Sequence, residues 1–356
     1  MYRISHVASI QPQVLLRHGT VNSKPMDQKV RVAAVQAEPI WNDLEGGVQK
    51  VISIIEEAAT NGAQVLGFPE VFIPGYPCMY AKSPFENGGF MFEYMQNSMA
   101  RDSPQMLRIC AAVKKAGLFV VLGYSERDKC SMYISQVHNP PEPAFISPSG
   151  EITHNRRKIK PTHIERAHWG TGEGDSLKTV VPTPLGKIGA LNCWEHTQPL
   201  LRYHEYSQDV DIHIASWPAM WDAPEPLKQQ WSYQASGTMC RTISQTMAFE
   251  GACCVLVCSQ VMKKENAGRN GVEGWEYPSL PGGGFSQIFG FEGEPLCEML
   301  GAGEEGILYA DVDLKGKLKA KQFLDIVGHY SRPDLLSLRA NMRASRPVHY
   351  ASESVE

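Results

Sequence analysis

The chain has no apolar run approaching the roughly 18–20 residues that cross a bilayer, no block of basic residues, and no paired spacing of metal-binding side chains. The first absence excludes a transmembrane helix. The second argues against a nucleic-acid partner, whose phosphates call for a positive stripe; the formal net charge is -4, from 34 basic and 38 acidic residues. The third covers the nine cysteines, none in a CxxC pair, and the eleven histidines, none in an HExxH spacing. No metal and no cofactor is therefore expected. An odd cysteine count in a chain of 356 residues, without a secretory pattern at its start, also argues against a disulfide framework. Cys253, Cys254 and Cys258 lie in an apolar run and read as packed thiols. What is left favours a small-molecule substrate over a polymer or a lipid.

What the chain does have is an ordinary globular composition, 43% hydrophobic and 20% charged. Its length fits two average domains or one large α/β unit. Residues 1–28 read as a poorly ordered extension. The first 26 contain no acid but include Arg3, Arg17 and Lys24, as a mitochondrial presequence would. Pro12, Pro25 and weak periodicity favour a plain extension, and a cytoplasmic location is expected.

From Val30 a regular pattern begins. Val30 to Gln36 reads as a buried strand. Asn42 and Glu45 are spaced as a capping box, Val48, Val51, Ile52, Ile55 and Ala59 form a helical stripe, and Asn61-Gly62 supplies the stop. Gln64 to Phe68 reads as a strand ended by Pro69, which leaves Glu70 just past a carboxyl end. Ser103-Pro104 opens another helix, with Met106, Leu107, Cys110 and Val113 as its stripe and Gly117 as its close. Strands follow at Leu118–Leu122 and at Gly186–Asn192, the latter leading to Cys193, and a helix starts near Thr197-Gln198-Pro199. A helix around Gln229–Glu250 precedes a strand at Ala252–Cys258. Alternating strands and helices indicate an α/β fold, and the absence of a linker favours one domain over 29–330 with a tail at 331–356.

Taken singly, the reactive residues have ordinary explanations. Cys193 could be a core thiol, Lys158 part of a solvated basic run, and Glu70 a surface acid. Their joint occurrence carries more. Gly67-Phe68-Pro69-Glu70-Val71-Phe72-Ile73-Pro74-Gly75-Tyr76-Pro77, then Asn155-Arg156-Arg157-Lys158-Ile159-Lys160-Pro161-Thr162-His163-Ile164-Glu165-Arg166, then Gly189-Ala190-Leu191-Asn192-Cys193-Trp194-Glu195-His196 stand in that order. In these three motifs the chain resembles the nitrilase superfamily from Val30 to about Asn341. Cys-Trp-Glu-His, Ala215-Ser216-Trp217-Pro218 and Gly328-His329-Tyr330-Ser331-Arg332-Pro333-Asp334 resemble its nitrilase branch.

The resemblance implies an αββα sandwich that pairs into αββααββα dimers, with longer spirals in many members. It implies Cys193 as nucleophile, Glu70 as general base, Lys158 rather than Lys160 as the oxyanion-stabilising cation, and Glu165 as a second acid. Trp194, His196, Trp217 and Tyr76 lie beside the motifs as candidate substrate-binding residues, each equally readable as a core aromatic. The implied substrate is an organic nitrile, aromatic or arylaliphatic; hydrogen cyanide and amides are the alternatives within the superfamily, and an inactive filament-forming scaffold is the alternative outside catalysis. One departure from the family pattern is a proline-rich insertion, His138 to Ala144, expected as a surface loop.

Overall fold

The structure is a computed structural model that describes residues 29–77, 86, 88–139, 154–225, 227–229, 232–275 and 277–345. The N-terminal extension, most of the proline-rich insertion and the end of the tail lie outside the described residues. Strands and helices follow in the order β1 (Lys29–Ala37), α1 (Leu44–Thr60), β2 (Val65–Gly67), α2 (Gly88–Asn97), α3 (Pro104–Ala116), β3 (Phe119–Asp128), β4 (Ser131–Asn139), β5 (His154–Arg157), β6 (Val180–Thr183), β7 (Gly186–Asn192), α4 (Pro199–Ser207), β8 (Ile212–Trp217), α5 (Gly237–Gly251), β9 (Cys254–Gln260), β10 (Gln287–Phe289), β11 (Gly306–Asp313) and α6 (Gly316–Phe323).

Side chains alternate between faces along a strand, so each strand feeds two layers. In β1, Ala33 and Val35 pack under α1 and α3 with Val51, Ile55, Met106 and Ile109. Val30, Val32 and Ala34 point the other way, into a second core shared with Ile188, Ile212, Ile214, Cys254 and Leu256 of β7, β8 and β9. The far faces of those strands, through Leu191, Ala215, Val255 and Val257, meet Leu201 of α4 and Met247 of α5. These layers make the expected αββα sandwich, with each sheet buried on both faces as in other helix-covered parallel sheets. The two halves are joined: the path runs β5-β4-β3-β2-β1-β9-β8-β7-β6, because Gln36 pairs with Ser259 and Ala37 with Gln260. That seam draws the carboxyl ends of the central strands of both halves together.

Local chemistry explains most element boundaries, and four features differ from the sequence reading. The first helix is capped by Asp43, whose side chain accepts from Gly46 N–H, rather than by Asn42. The expected stripe of α3 is rotated: Ile109 is buried and Leu107 is 53% exposed. The helix expected from Gln229 starts at Gly237, because the Ser236 hydroxyl accepts from Met239 N–H and fixes the N-terminus there. His138 and Asn139, expected as the start of the insertion, instead end β4, paired with His154 and Val120. Cys253, Cys254 and Cys258 are fully buried, as expected of packed thiols. No helix among the described residues is long and apolar enough to cross a membrane.

Candidate active site

Three chain turns at the seam present the reactive side chains, and each contains a residue in the left-handed region that L-residues rarely occupy. Cys193 follows the last residue of β7 at φ 49°, Val71 follows Glu70 at φ 45°, and His163 lies between Lys158 and Glu165 at φ 47°. Such conformations cost about 1–3 kcal/mol each and persist where the surroundings fix them. Here side chains clamp the backbone carbonyls. Gln260 Nε2 donates to the carbonyls of Glu70 and Val71 at 2.6 and 3.2 Å, and His196 Nδ1 lies 2.6 Å from the Cys193 carbonyl. The Glu70 N–H in turn donates to the Trp217 carbonyl at 3.3 Å, tying one half of the sandwich to the other.

Lys158 is fully buried, while its neighbour Lys160 is exposed. Its ammonium donates to Glu70 Oε1 at 2.9 Å and to both oxygens of Glu165 at 3.1 and 2.9 Å. Glu165 is held further by the Tyr76 hydroxyl at 2.6 Å and by Thr162 N–H at 2.7 Å. Glu70 is poorer in partners: its Oε2 is buried with no hydrogen bond among the described residues. One oxygen of each carboxylate and Cys193 Sγ lie within 4.8 Å of one another. Cys193 is 2% exposed, but its sulfur borders charge rather than hydrocarbon alone.

The electrostatics follow from burial. Loss of solvent raises the Glu70 carboxyl to about 8, with Lys158 opposing and Glu165 adding to the rise. Burial, then Glu70, pushes the Cys193 thiol well above its ordinary value against the pull of Lys158. Burial alone would strip the proton from Lys158, yet Glu165, Glu70 and Cys193 hold its ammonium well above the ordinary lysine value. By distance, Glu70, Glu165 and Cys193 could ligate a metal ion. The ammonium already bonded to both carboxylates would have to be displaced first.

The sequence reading placed Cys193, Glu70, Lys158 and Glu165 in one site, and the structure brings all four together. It separates the four aromatic candidates. Trp194 and Tyr76 keep partial exposure; the Tyr76 ring stacks on Trp169 at 5.9 Å while its hydroxyl serves Glu165. His196 and Trp217 are fully buried and stacked on each other at 5.2 Å, and the Trp217 indole donates to Ser244 Oγ at 3.0 Å. Trp217 shares its buried cluster with Cys193.

Two residues were missed. Glu195 takes two 2.7 Å contacts from the Arg156 guanidinium and accepts from Asn192 N–H and Ile159 N–H at 2.9 and 2.8 Å. It thus ties Asn192, the residue before Cys193, to the peptide after Lys158. Burial would raise its carboxyl, but Arg156 overrides this and holds it below the usual range. The available signal was an acid inside the nucleophile motif and an arginine two residues before the lysine.

Comparison with known proteins gives the chain's family and its fold. The carbon-nitrogen hydrolase family model matches residues 31–318. A nitrilase of Penicillium rubens is 60% identical over 330 residues, covering 92% of this chain and 98% of its own length. An arylacetonitrilase of Aspergillus kawachii is 45% identical, covering 91% and 95%, and a cyanide hydratase of Armillaria gallica 43%, covering 91% and 88%. Among solved structures, a carbon-nitrogen hydrolase from Helicobacter pylori superposes with TM-score 0.61 at 17% identity, over 84% of this chain and 94% of that one. The amidase from Nesterenkonia sp. AN1, with the acetamide moiety of fluoroacetamide on its active-site cysteine, does so at 0.55 and 16%, over 82% and 92%. The chain belongs to the carbon-nitrogen hydrolase family.

Proposed function

We propose that the protein is a nitrilase that converts an organic nitrile, aromatic or arylaliphatic, to the carboxylic acid and ammonia through covalent catalysis at Cys193. The observation that carries this reading is the buried Lys158 ammonium bonded to Glu70 and Glu165, with Cys193 Sγ beside both acids. The nitrilase and arylacetonitrilase relatives, covered almost end to end, support the substrate class.

A nitrile carbon is a weak electrophile, so a thiolate is the suitable attacker. Glu70 takes the thiol proton as sulfur adds to the nitrile carbon, and the nitrogen is protonated to give a thioimidate. Water deprotonated by Glu70 adds next, and Lys158 together with the Trp194 N–H stabilises the tetrahedral species. Ammonia leaves, a thioester remains, and a second water releases the acid and restores the thiol. Two waters are consumed per nitrile. Glu165, anchored by Tyr76 and Thr162, positions Lys158.

Within this reading, residues 29–330 form one catalytic domain and the protein works in the cytoplasm. It assembles as homodimers or longer spirals across the outer face of the α4 and α5 layer, where Leu200 and Phe249 are 69% and 53% exposed. The test is a nitrile panel with ammonia detection beside Cys193→Ala and Cys193→Ser. Phenylacetonitrile turnover that vanishes in Cys193→Ala is the expected result; turnover of cyanide alone would move the assignment to cyanide hydration, and turnover of amides alone to an amidase.

A further inference from the structure

Behind Cys193 runs a buried chain of polar side chains that the proposed chemistry does not use. His196 Nδ1 lies 2.6 Å from the Cys193 carbonyl, His196 Nε2 lies 2.9 Å from His213 Nε2, and His213 Nδ1 contacts Glu205 Oε1. The side chains of His196, His213 and Glu205 are all fully buried. Space for the last of them is specific: a Cβ on Gly189 of β7 would collide with Glu205 Oε1. The His196 ring is fixed by Trp217 stacked on it, and its own carbonyl by Arg202 Nη1 at 2.6 Å.

The proton inventory of this chain is forced by its first acceptor. A carbonyl oxygen only accepts, so His196 Nδ1 must carry the proton. Burial and His213 push the His196 imidazole well below its usual value, so it has one proton and its Nε2 is a bare acceptor. His213 Nε2–H therefore donates to it. His213 Nδ1 and Glu205 Oε1 then share one proton between them, whichever atom holds it. From His213 Nε2 onward, both donors point toward Cys193.

We propose that Glu205 and His213 are positioning residues for the nucleophile: through His196 they deliver a hydrogen bond to the Cys193 carbonyl, which holds the left-handed turn and polarises the Cys193–Trp194 peptide. The Trp194 N–H, in the first turn of a short helix and without a partner in that turn, becomes a stronger donor to the tetrahedral oxyanion or nitrogen anion. Because that charge develops only in the transition state, the relay acts on kcat and leaves ground-state binding alone.

The kinetic arm rests on the nitrile reading. His213→Leu removes the donor to His196, and kcat is expected to fall about tenfold to a hundredfold with KM unchanged. That lies below the roughly hundred- to thousandfold that a direct oxyanion donor is worth. His213→Gln and Glu205→Gln, which can keep a donor at each link, retain most of the rate, whereas Glu205→Leu loses it. An unchanged kcat in folded His213→Leu overturns the proposal. The second measurement needs no substrate and no variant: ¹⁵N-histidine NMR of the wild-type protein is expected to show His196 protonated at Nδ1. Protonation at Nε2 overturns the relay even if nitrile turnover is found, and the expected tautomer supports it even if the substrate assignment fails.

Discussion

Arg156 of β5 and Glu195 of the nucleophile turn face each other across the sandwich with two contacts of 2.7 Å, and neither side chain is more than 3% exposed. The pair does more than neutralise charge. Glu195 also accepts the N–H groups on either side of the site, and Arg156 Nη1 donates to Gln136 Oε1 at 3.1 Å, whose amide reaches Leu191 and Ser216 on the opposite half. One ionic knot therefore sets the separation of Lys158 and Cys193.

Arg156→Met leaves the Glu195 carboxylate buried without its counter-charge, and breaking such a pair costs about 3–5 kcal/mol. Chemical denaturation should show a loss of that size. Arg156→Met with Glu195→Gln should recover part of it, because no uncompensated charge remains. Nitrile turnover should fall in both proteins. The first loses the guanidinium that orients Glu195, and in the second a carboxamide, with a single acceptor oxygen, cannot serve both backbone N–H groups with the same geometry.

Glu70 makes a prediction with two signs. As a base it works deprotonated, so kcat/KM should climb with pH toward a limb near 8, the value to which burial raises it. For stability, the folded state holds a proton that the unfolded chain releases above the ordinary glutamate value of 4.5. Stability from this group is therefore full below 4.5 and is lost as pH rises to about 8. Relative to wild type, Glu70→Gln should gain stability between those pH values while losing turnover. Denaturation at pH 5 and pH 8 checks the first part; equal differences at both would contradict it.

Much of this site could be read from the chain, and the reasons are local. Glu70 and Cys193 each follow a strand whose end was marked, by Pro69 and by the apolar run through Asn192, so both fell at carboxyl edges where reacting groups gather. The inward turn of Lys158 rather than Lys160 was legible only through the resemblance, because a basic run has no inherent facing. Glu195 and Arg156 left only the signal of their places inside the motifs, and the His196–His213–Glu205 chain left none. Their meaning lies in cross-sandwich contacts between β4, β5, β7, β8 and α4, and register across two packed sheets leaves no periodic trace. The late start of α5 was missed for a different reason. Gln229 to Ala235 is compatible with a helix, and Ser236 decides otherwise only by capping Met239 N–H.

His138 and His154 form a cross-strand pair with rings 4.8 Å apart, and among the described residues no partner meets either His138 nitrogen or His154 Nε2. Burial, then His154, Arg156 and His213, keeps His138 well below its usual value, while burial, then Lys178 and Arg156, lowers His154 to about 4. Lys178 and Arg156 are cationic, and a hydrogen bond with the Lys178 backbone opposes them at His154 without cancelling the fall. A lowered folded value means the unfolded chain binds more protons between about 4 and 6.5, and stability falls as the solution is acidified through that window. His154→Gln should flatten the loss between pH 6.5 and 4; an unchanged slope in urea titrations would show that the destabilisation arises elsewhere.

Gly123 of β3 sets where Glu70 can sit. A Cβ there would collide with the Pro69 carbonyl oxygen and stand 3.0 Å from both Glu70 Cα and Val71 N. All three are backbone atoms, so no side chain can rotate away, and Phe72 N–H is bound to the Gly123 carbonyl at 2.8 Å. Gly123→Ala should therefore push the turn bearing Glu70 outward. Overpacking of this kind costs about 1–3 kcal/mol, and a displacement near 1 Å can lower turnover about a hundredfold. Gly117→Ala is the matched control. Its φ of +70° strains alanine, yet no atom lies within 4 Å of the added carbon. It should lose about 1 kcal/mol of stability and keep its kcat. Thermal unfolding and nitrile turnover of the two variants separate strain from site geometry, and a Gly123→Ala protein with normal kcat would show that the Pro69–Glu70 turn tolerates the shift.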